Sequence, residues 1–224
     1  MRLCALARNN KIDFMKLIYQ FLFIFLSVSI TFAQVSVGAF GGINSTNFNG
    51  DNPPKASFAS DFGYDLGASA DFYLLDDVAL NIQPMYSSQS TIFQYDVNYQ
   101  YEPFDSISVK SDYFEIPVNI KVIANNKMTY VTAGLSLAIP LSATAINNRT
   151  GIQEDISDSF ESYVFIANFG IGIQFSIGQP LLFIELRYSQ SLTNLTKIKI
   201  KEITLNNKLK SNSIQLQTGI LFNL

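Results

Sequence analysis

The stretch Asp112-Tyr113-Phe114-Glu115-Ile116-Pro117-Val118-Asn119-Ile120-Lys121-Val122-Ile123 decides the fold. Successive side chains of an extended chain point to opposite faces. Phe114, Ile116, Val118, Ile120 and Val122 therefore share one face, and Tyr113, Glu115, Asn119 and Lys121 share the other. The length of this stretch also matters. Ordinary soluble strands average about 5–6 residues, whereas a tilted strand needs about 9–11 to cross a bilayer.

The same two-faced alternation recurs on both sides of it. It runs over residues 34–44 (Val35, Val37, Ala39 and Ile43 on the apolar face) and 62–74 (Tyr64, Leu66, Ala68, Ala70 and Phe72). It continues over 78–89 (Leu80, Ile82, Pro84 and Tyr86) and 128–141 (Val131, Ala133, Leu135, Leu137 and Ile139). Segments 162–177 and 181–191 follow, with Phe165, Phe169, Ile171 and Ile173, then Leu182, Ile184, Leu186 and Tyr188. The last is 213–224, where Ile214, Leu216, Ile220, Phe222 and Leu224 alternate with Gln215, Gln217 and Gly219.

The connections between these eight segments alternate in length. Leu75-Asp76-Asp77, Ala124-Asn125-Asn126-Lys127 and Gly178-Gln179-Pro180 have hairpin-turn chemistry. Residues 45–61, 90–111, 142–161 and 192–212 are long and polar. Short turns at one end and long loops at the other are the pattern of a transmembrane barrel. The expected fold is an all-β, eight-stranded, antiparallel up-and-down transmembrane barrel. With the N-terminus in the periplasm, strand parity puts every long loop outside the cell.

The N-terminal residues read differently. An apolar run over 17–30 follows Lys16 and ends at Thr31-Phe32-Ala33, before Gln34. This is a basic region, an apolar core and a small-residue cleavage site. The run is short for a spanning helix, which needs roughly 20 residues. Residues 1–33 are thus expected to be a signal peptide, either with an upstream extension before a natural start at Met15 or with a long basic region carrying Arg2, Arg8 and Lys11, and 34–224 the barrel domain. Loss of Arg2, Arg8, Lys11, Lys16 and Asp13 turns the 15 basic and 18 acidic residues into 11 and 17, a net charge of −6. No basic surface for nucleic acid remains. The single Cys, Cys4, leaves with the leader, and with it any disulfide or lipidated cysteine.

Val37-Gly38-Ala39-Phe40-Gly41-Gly42-Ile43-Asn44, Leu80-Asn81-Ile82-Gln83-Pro84-Met85-Tyr86-Ser87, Tyr113-Phe114-Glu115-Ile116-Pro117-Val118, Glu185-Leu186-Arg187-Tyr188-Ser189 and the closing residues 215–224 together resemble the porin-like outer-membrane β-barrel family, the small eight-stranded barrels of Gram-negative bacteria. The resemblance covers essentially the whole mature chain, and Tyr-Phe-Glu-Ile-Pro-Val is its most specific piece. It implies an outer-membrane location and no defined activity, although some similar proteins are tied to secretion at the envelope. The chain departs from the usual pattern in having no Trp, which weakens the interfacial aromatic girdle. Tyr64, Phe72, Tyr86, Phe114, Tyr163 and Tyr188 stand near strand ends on the apolar face and are placed to substitute.

Candidate chemistry sits on the polar face, at Asp65, Asp71, Glu115, Asn119, Lys121, Glu185 and Arg187. Eight strands enclose a lumen just wide enough for side chains, so charges there must pair or hydrogen-bond. An ion-pair network filling the lumen is one reading, and a proton or small-ion path is the other. Inward Phe40, Tyr73, Tyr113 and Tyr130 argue against an open pore. The chain has no His, which removes the usual general base and the Ser-His-Asp triad. Glu115 and Glu185 as a carboxylate pair, without a cleft, do not make an enzyme. No cofactor or metal site is expected.

Lys197-Ile198-Lys199-Ile200-Lys201 extends the alternation into the last long loop. It reads as a basic hairpin facing lipopolysaccharide phosphates or an extracellular partner, or as a solvated edge kept soluble by Lys. Expected partners are outer-membrane lipid and lipopolysaccharide, the barrel-insertion machinery reading Ile220, Phe222 and Leu224, and an extracellular or envelope protein. The leading function is a structural or interaction barrel. The alternatives are a narrow transport pore, a secretion-associated envelope component, and a soluble ligand-binding barrel with its apolar face inside.

Overall fold

A computed structural model describes residues 34–50, 56–95, 106–195 and 209–224. The strands are β1 (Val35–Asn49), β2 (Ala56–Leu75), β3 (Val78–Ile82), β4 (Met85–Tyr95), β5 (Ser106–Ile123), β6 (Thr129–Asn147), β7 (Gln153–Asp155), β8 (Val164–Ser176), β9 (Pro180–Ser191) and β10 (Lys210–Asn223). All neighbours pair antiparallel, and β1 pairs with both β2 and β10. The β5–β6 pairing completes the circuit, so the sheet is closed.

The closed wall has eight staves, because β3 and β4 are two parts of one. Ile82 opposite Val118 and Met85 opposite Glu115 keep a single register against β5. The ladder lapses between them at Pro84, which has no N–H to give. The amide of Ala68 donates to the Pro84 carbonyl (3.0 Å) and that of Gln83 to the Pro117 carbonyl (3.0 Å), and these bonds carry the wall across the gap. β7 is a short addition to the outer end of β6.

The register also gives the stagger. From Gly42, the ladder reaches β5 at Tyr113 through Asp65 and Ser87. In the other direction it arrives at Ile123, through Gln217, Glu185, Gly172 and Tyr130. The difference, 123 less 113, is a stagger of ten residues. Staggered closure tilts the strands by about 35–45° and leaves a narrow interior that side chains largely fill.

The outer face is apolar. Leu66, Val118, Leu135, Phe169 and Ile171 are all exposed there, a belt that hydrocarbon solvates and water does not. Tyr64 and Tyr86 meet at 5.9 Å with tilted rings on the side toward the long connections, while Phe72 and Phe222 lie toward the short turns.

Two features differ from the sequence reading. Strands run well into the connections expected at 45–61, 90–111 and 142–161, since β1 runs on to Asn49, β2 starts at Ala56, β4 reaches Tyr95, β5 starts at Ser106 and β6 reaches Asn147. Ladder hydrogen bonds do not need an apolar outer face once a strand has left lipid, so polar residues continue the wall. In addition, β2 carries a bulge between Ser60 and Tyr64, and β6 one at Leu141. Each extra residue reverses which side chains point inward: Asp65 is buried below the β2 bulge and Phe58 packs inward above it, as Ala138 and Ala143 do on either side of Leu141. Serines brace both bulges, Ser90 Oγ donating to Asp61 Oδ2 (2.6 Å) and Ser142 Oγ to Asp112 Oδ2 (2.8 Å).

Candidate functional site: the barrel interior and its loop-bearing end

The interior has three layers. At the short-turn end Phe40, Met85, Ile123, Tyr130, Phe183 and Leu221 form one buried apolar cluster, with Tyr73 and Leu181 against it. Phe40 and Phe183 meet at 6.5 Å. Tyr130 fits because β8 offers glycine opposite it. A Cβ on Gly172 would lie 2.2 Å from the Tyr130 ring.

The middle layer is polar and holds all seven residues singled out on the polar face: Asp65, Asp71, Glu115, Asn119, Lys121, Glu185 and Arg187 are each buried. Lys121 Nζ lies 2.7 Å from Asp71 Oδ2, and 4.3 Å above the Tyr130 ring, which ties this layer to the one below. Asn81 Nδ2 donates to Asp71 Oδ1 (2.5 Å) and Asn119 Nδ2 to Asn81 Oδ1 (3.5 Å). Arg187 donates to Glu185 Oε1 twice, from Nε at 2.8 Å and Nη2 at 2.6 Å, and Nη2 also reaches Gln83 Oε1. Asp65 Oδ1 accepts from Asn44 Nδ2 (2.9 Å) and Ser87 Oγ (2.7 Å). Glu115 stands apart: neither carboxylate oxygen has a hydrogen-bond partner among the described residues. Glu115 and Glu185, weighed above as a carboxylate pair, therefore differ, one held by a guanidinium and the other bare.

Sequence reading left Asn44, Gln83, Ser87, Asn168, Gln215 and Gln217 out of this site. They were legible as inward by parity, but short neutral side chains carry no charge to flag them. Asn168 donates to Ser136 and accepts from Ser189 (2.8 Å), which links three adjacent staves.

The third layer closes the long-connection end. Phe48, Phe93, Val109, Tyr113, Ile156, Phe160, Leu195 and Leu209 belong to one buried cluster. Phe58 and Phe93 meet edge-on at 4.7 Å, and Phe48 lies 6.1 Å from Phe93. Ile156 and Phe160 enter from the connection after β7, on either side of a single 3-10 turn at Ser157–Ser159. Asp155 Oδ1 accepts from the Ser157 amide (2.9 Å) and hydroxyl (2.6 Å), which fixes the turn and holds the Asp155 carboxyl below its ordinary range. The Ala143 amide donates to the same Ser157 hydroxyl (2.9 Å), anchoring the turn to β6. This end is a folded extension with its own core. Lys197, Lys199 and Lys201 lie outside the described residues.

The sequence matches the family model of the outer membrane protein beta-barrel domain over residues 32–197. No curated protein matches it. Several solved structures are similar. Ail, the attachment invasion locus protein of Yersinia pestis, solved in complex with the heparin analogue sucrose octasulfate, is 15% identical with a TM-score of 0.43, covering 84% of this chain and 99% of that one. The outer membrane protein OprG from Pseudomonas aeruginosa is 11% identical with a TM-score of 0.48, covering 85% and 95%. Neisserial surface protein A is 12% identical with a TM-score of 0.40, covering 83% and 96%.

Proposed function

The chain belongs to the outer membrane protein beta-barrel domain family, and from that premise we propose that it is a non-conducting, non-enzymatic barrel of the outer membrane. It acts as a structural or interaction protein through the end that bears the long connections. The observation that carries this reading is the pair of buried apolar layers, one at each end of a polar middle. A water-filled path would have to pass between Phe40 and Phe183 at one end and through the Phe48, Phe58 and Phe93 cluster at the other. The extension around β7 supports display, because a surface built on its own core presents side chains in fixed positions.

Residues 1–33 act as a cleaved signal peptide, which makes Gln34 the first residue of the mature chain. The short turns then face the periplasm and the extension faces outward. Its partners are lipopolysaccharide and outer-membrane lipid around the belt, the barrel-insertion machinery at Ile220, Phe222 and Leu224, and an envelope or extracellular protein at the loops. Lys197, Lys199 and Lys201 supply positive charge for lipopolysaccharide phosphates. The test is electrical. Purified protein in a planar bilayer should show no stable conductance, and a large, persistent open state would overturn the sealed reading.

A further inference from the structure

The middle layer is not electrically balanced among the described residues. It holds four buried carboxylates, Asp65, Asp71, Glu115 and Glu185, against two cations, Lys121 and Arg187. Lys121 serves Asp71 and Arg187 serves Glu185. Asp65 and Glu115, each 1% exposed, have no direct ion pair. An uncompensated charge in a sealed interior is costly.

The bare atoms stand on β2, β5 and β10. Glu115 sits beside the Ser136 hydroxyl and within electrostatic range of Asp65 and of Arg187. Asp65 Oδ2, Glu115 Oε1 and Glu115 Oε2 have no partner. Gln217 adds a third residue from the far side of β1. It donates from Nε2 to Gln215 Oε1 (3.0 Å), which leaves its own Oε1 bare. In the ladder Gln217 faces Gly42, and Gly42 faces Asp65. Gln217 Cγ lies 3.0 Å from where a Cβ on Gly42 would be, so the fully buried amide leans over the one residue that separates it from Asp65. The bare donors nearby are Arg187 Nη1 and Gln215 Nε2, which suit water.

Asp65 Oδ2, the two Glu115 oxygens and Gln217 Oε1 are hard oxygen donors of the kind that hold sodium, magnesium or calcium. We propose that the middle of the lumen binds one small hard cation through Asp65, Glu115 and Gln217, with water completing its shell. The ion offsets the surplus negative charge, and the apolar layers retain it.

Because the layers seal the lumen, the ion must be present during folding. The full chain, extracted and unfolded in urea, is refolded into phosphatidylcholine vesicles in sodium chloride, calcium chloride or N-methylglucamine chloride at equal ionic strength. The urea midpoint of the wild type should rise with sodium or with calcium relative to N-methylglucamine, whose cation is too large to enter. The two metal arms distinguish a monovalent from a divalent occupant. Glu115→Gln, which keeps shape and removes one charge, should abolish the difference, while Glu154→Gln on exposed β7 should keep it. Asp65→Asn repeats the test at a second ligand if Glu115→Gln inserts poorly. Equal wild-type midpoints in all three salts would overturn the proposal, as would a metal dependence that survives in both lumen variants.

Discussion

Val118 and Asn119 are neighbours in the chain and meet opposite solvents. Val118 is 42% exposed on the outer face, and Asn119 is 1% exposed on the inner one. The outer face is simple: interchangeable apolar side chains against a fluid that fits any shape. On the inner face each polar atom needs a particular partner, and each large ring needs a particular gap. A substitution outside should thus be judged by its depth and polarity, and one inside by what it leaves unpaired or overfilled.

The largest expected effect is inside. Arg187→Met strips the guanidinium from Glu185 and Gln83 and leaves a buried carboxylate alone, at a cost of about 3–5 kcal/mol. Urea unfolding in vesicles measures it, and pairing the change with Glu185→Leu should recover most of the loss. If the double variant is as unstable as the single, ion pairing is not what holds that layer. Outside, depth should govern. Val118→Arg near the middle of the belt should cost about 2–4 kcal/mol, whereas Tyr64→Arg at the rim should cost about 0–1 for the charge. Asn119→Ala should leave insertion intact. Equal costs at Val118 and Tyr64 in refolding titrations would break the contrast between the faces. A third test probes fit alone. Gly172→Ala drives a methyl group into Tyr130 and should cost about 1–3 kcal/mol. Adding Tyr130→Leu should make the pair less costly than the sum of its members, and simple additivity would mean the ring does not need that glycine.

The alternation around Val118 made the staves legible, because lipid on one side and lumen on the other write a period of two into the chain. It also placed Asp71, Lys121, Glu185 and Arg187 inside. Which charge meets which is another matter. That depends on the ten-residue stagger, which is a property of closure and leaves no local mark. The same stagger sorts the inward aromatics, with Phe40, Tyr73 and Tyr130 in one end layer and Tyr113 in the other. The extension beyond the belt was harder to read. Phe48 and Phe93 sit among Ser, Thr and Asn, and the bulges in β2 and β6 reverse the inward parity. An apolar alternation therefore stops at the edge of the lipid although the strand does not.

The seam of the barrel has a consequence in time. β1 and β10 pair along their lengths, and Ser36 Oγ donates to Asn223 Oδ1 across 187 positions of sequence. The first strand to leave the ribosome thus waits for the last. Until β10 is made, β1 has an unpaired edge of amides and carbonyls, the kind that recruits other chains. Contacts this distant in sequence also make folding slow. Closure is therefore a post-synthetic event, and the chain must be kept from pairing with its neighbours for as long as its own ends are apart.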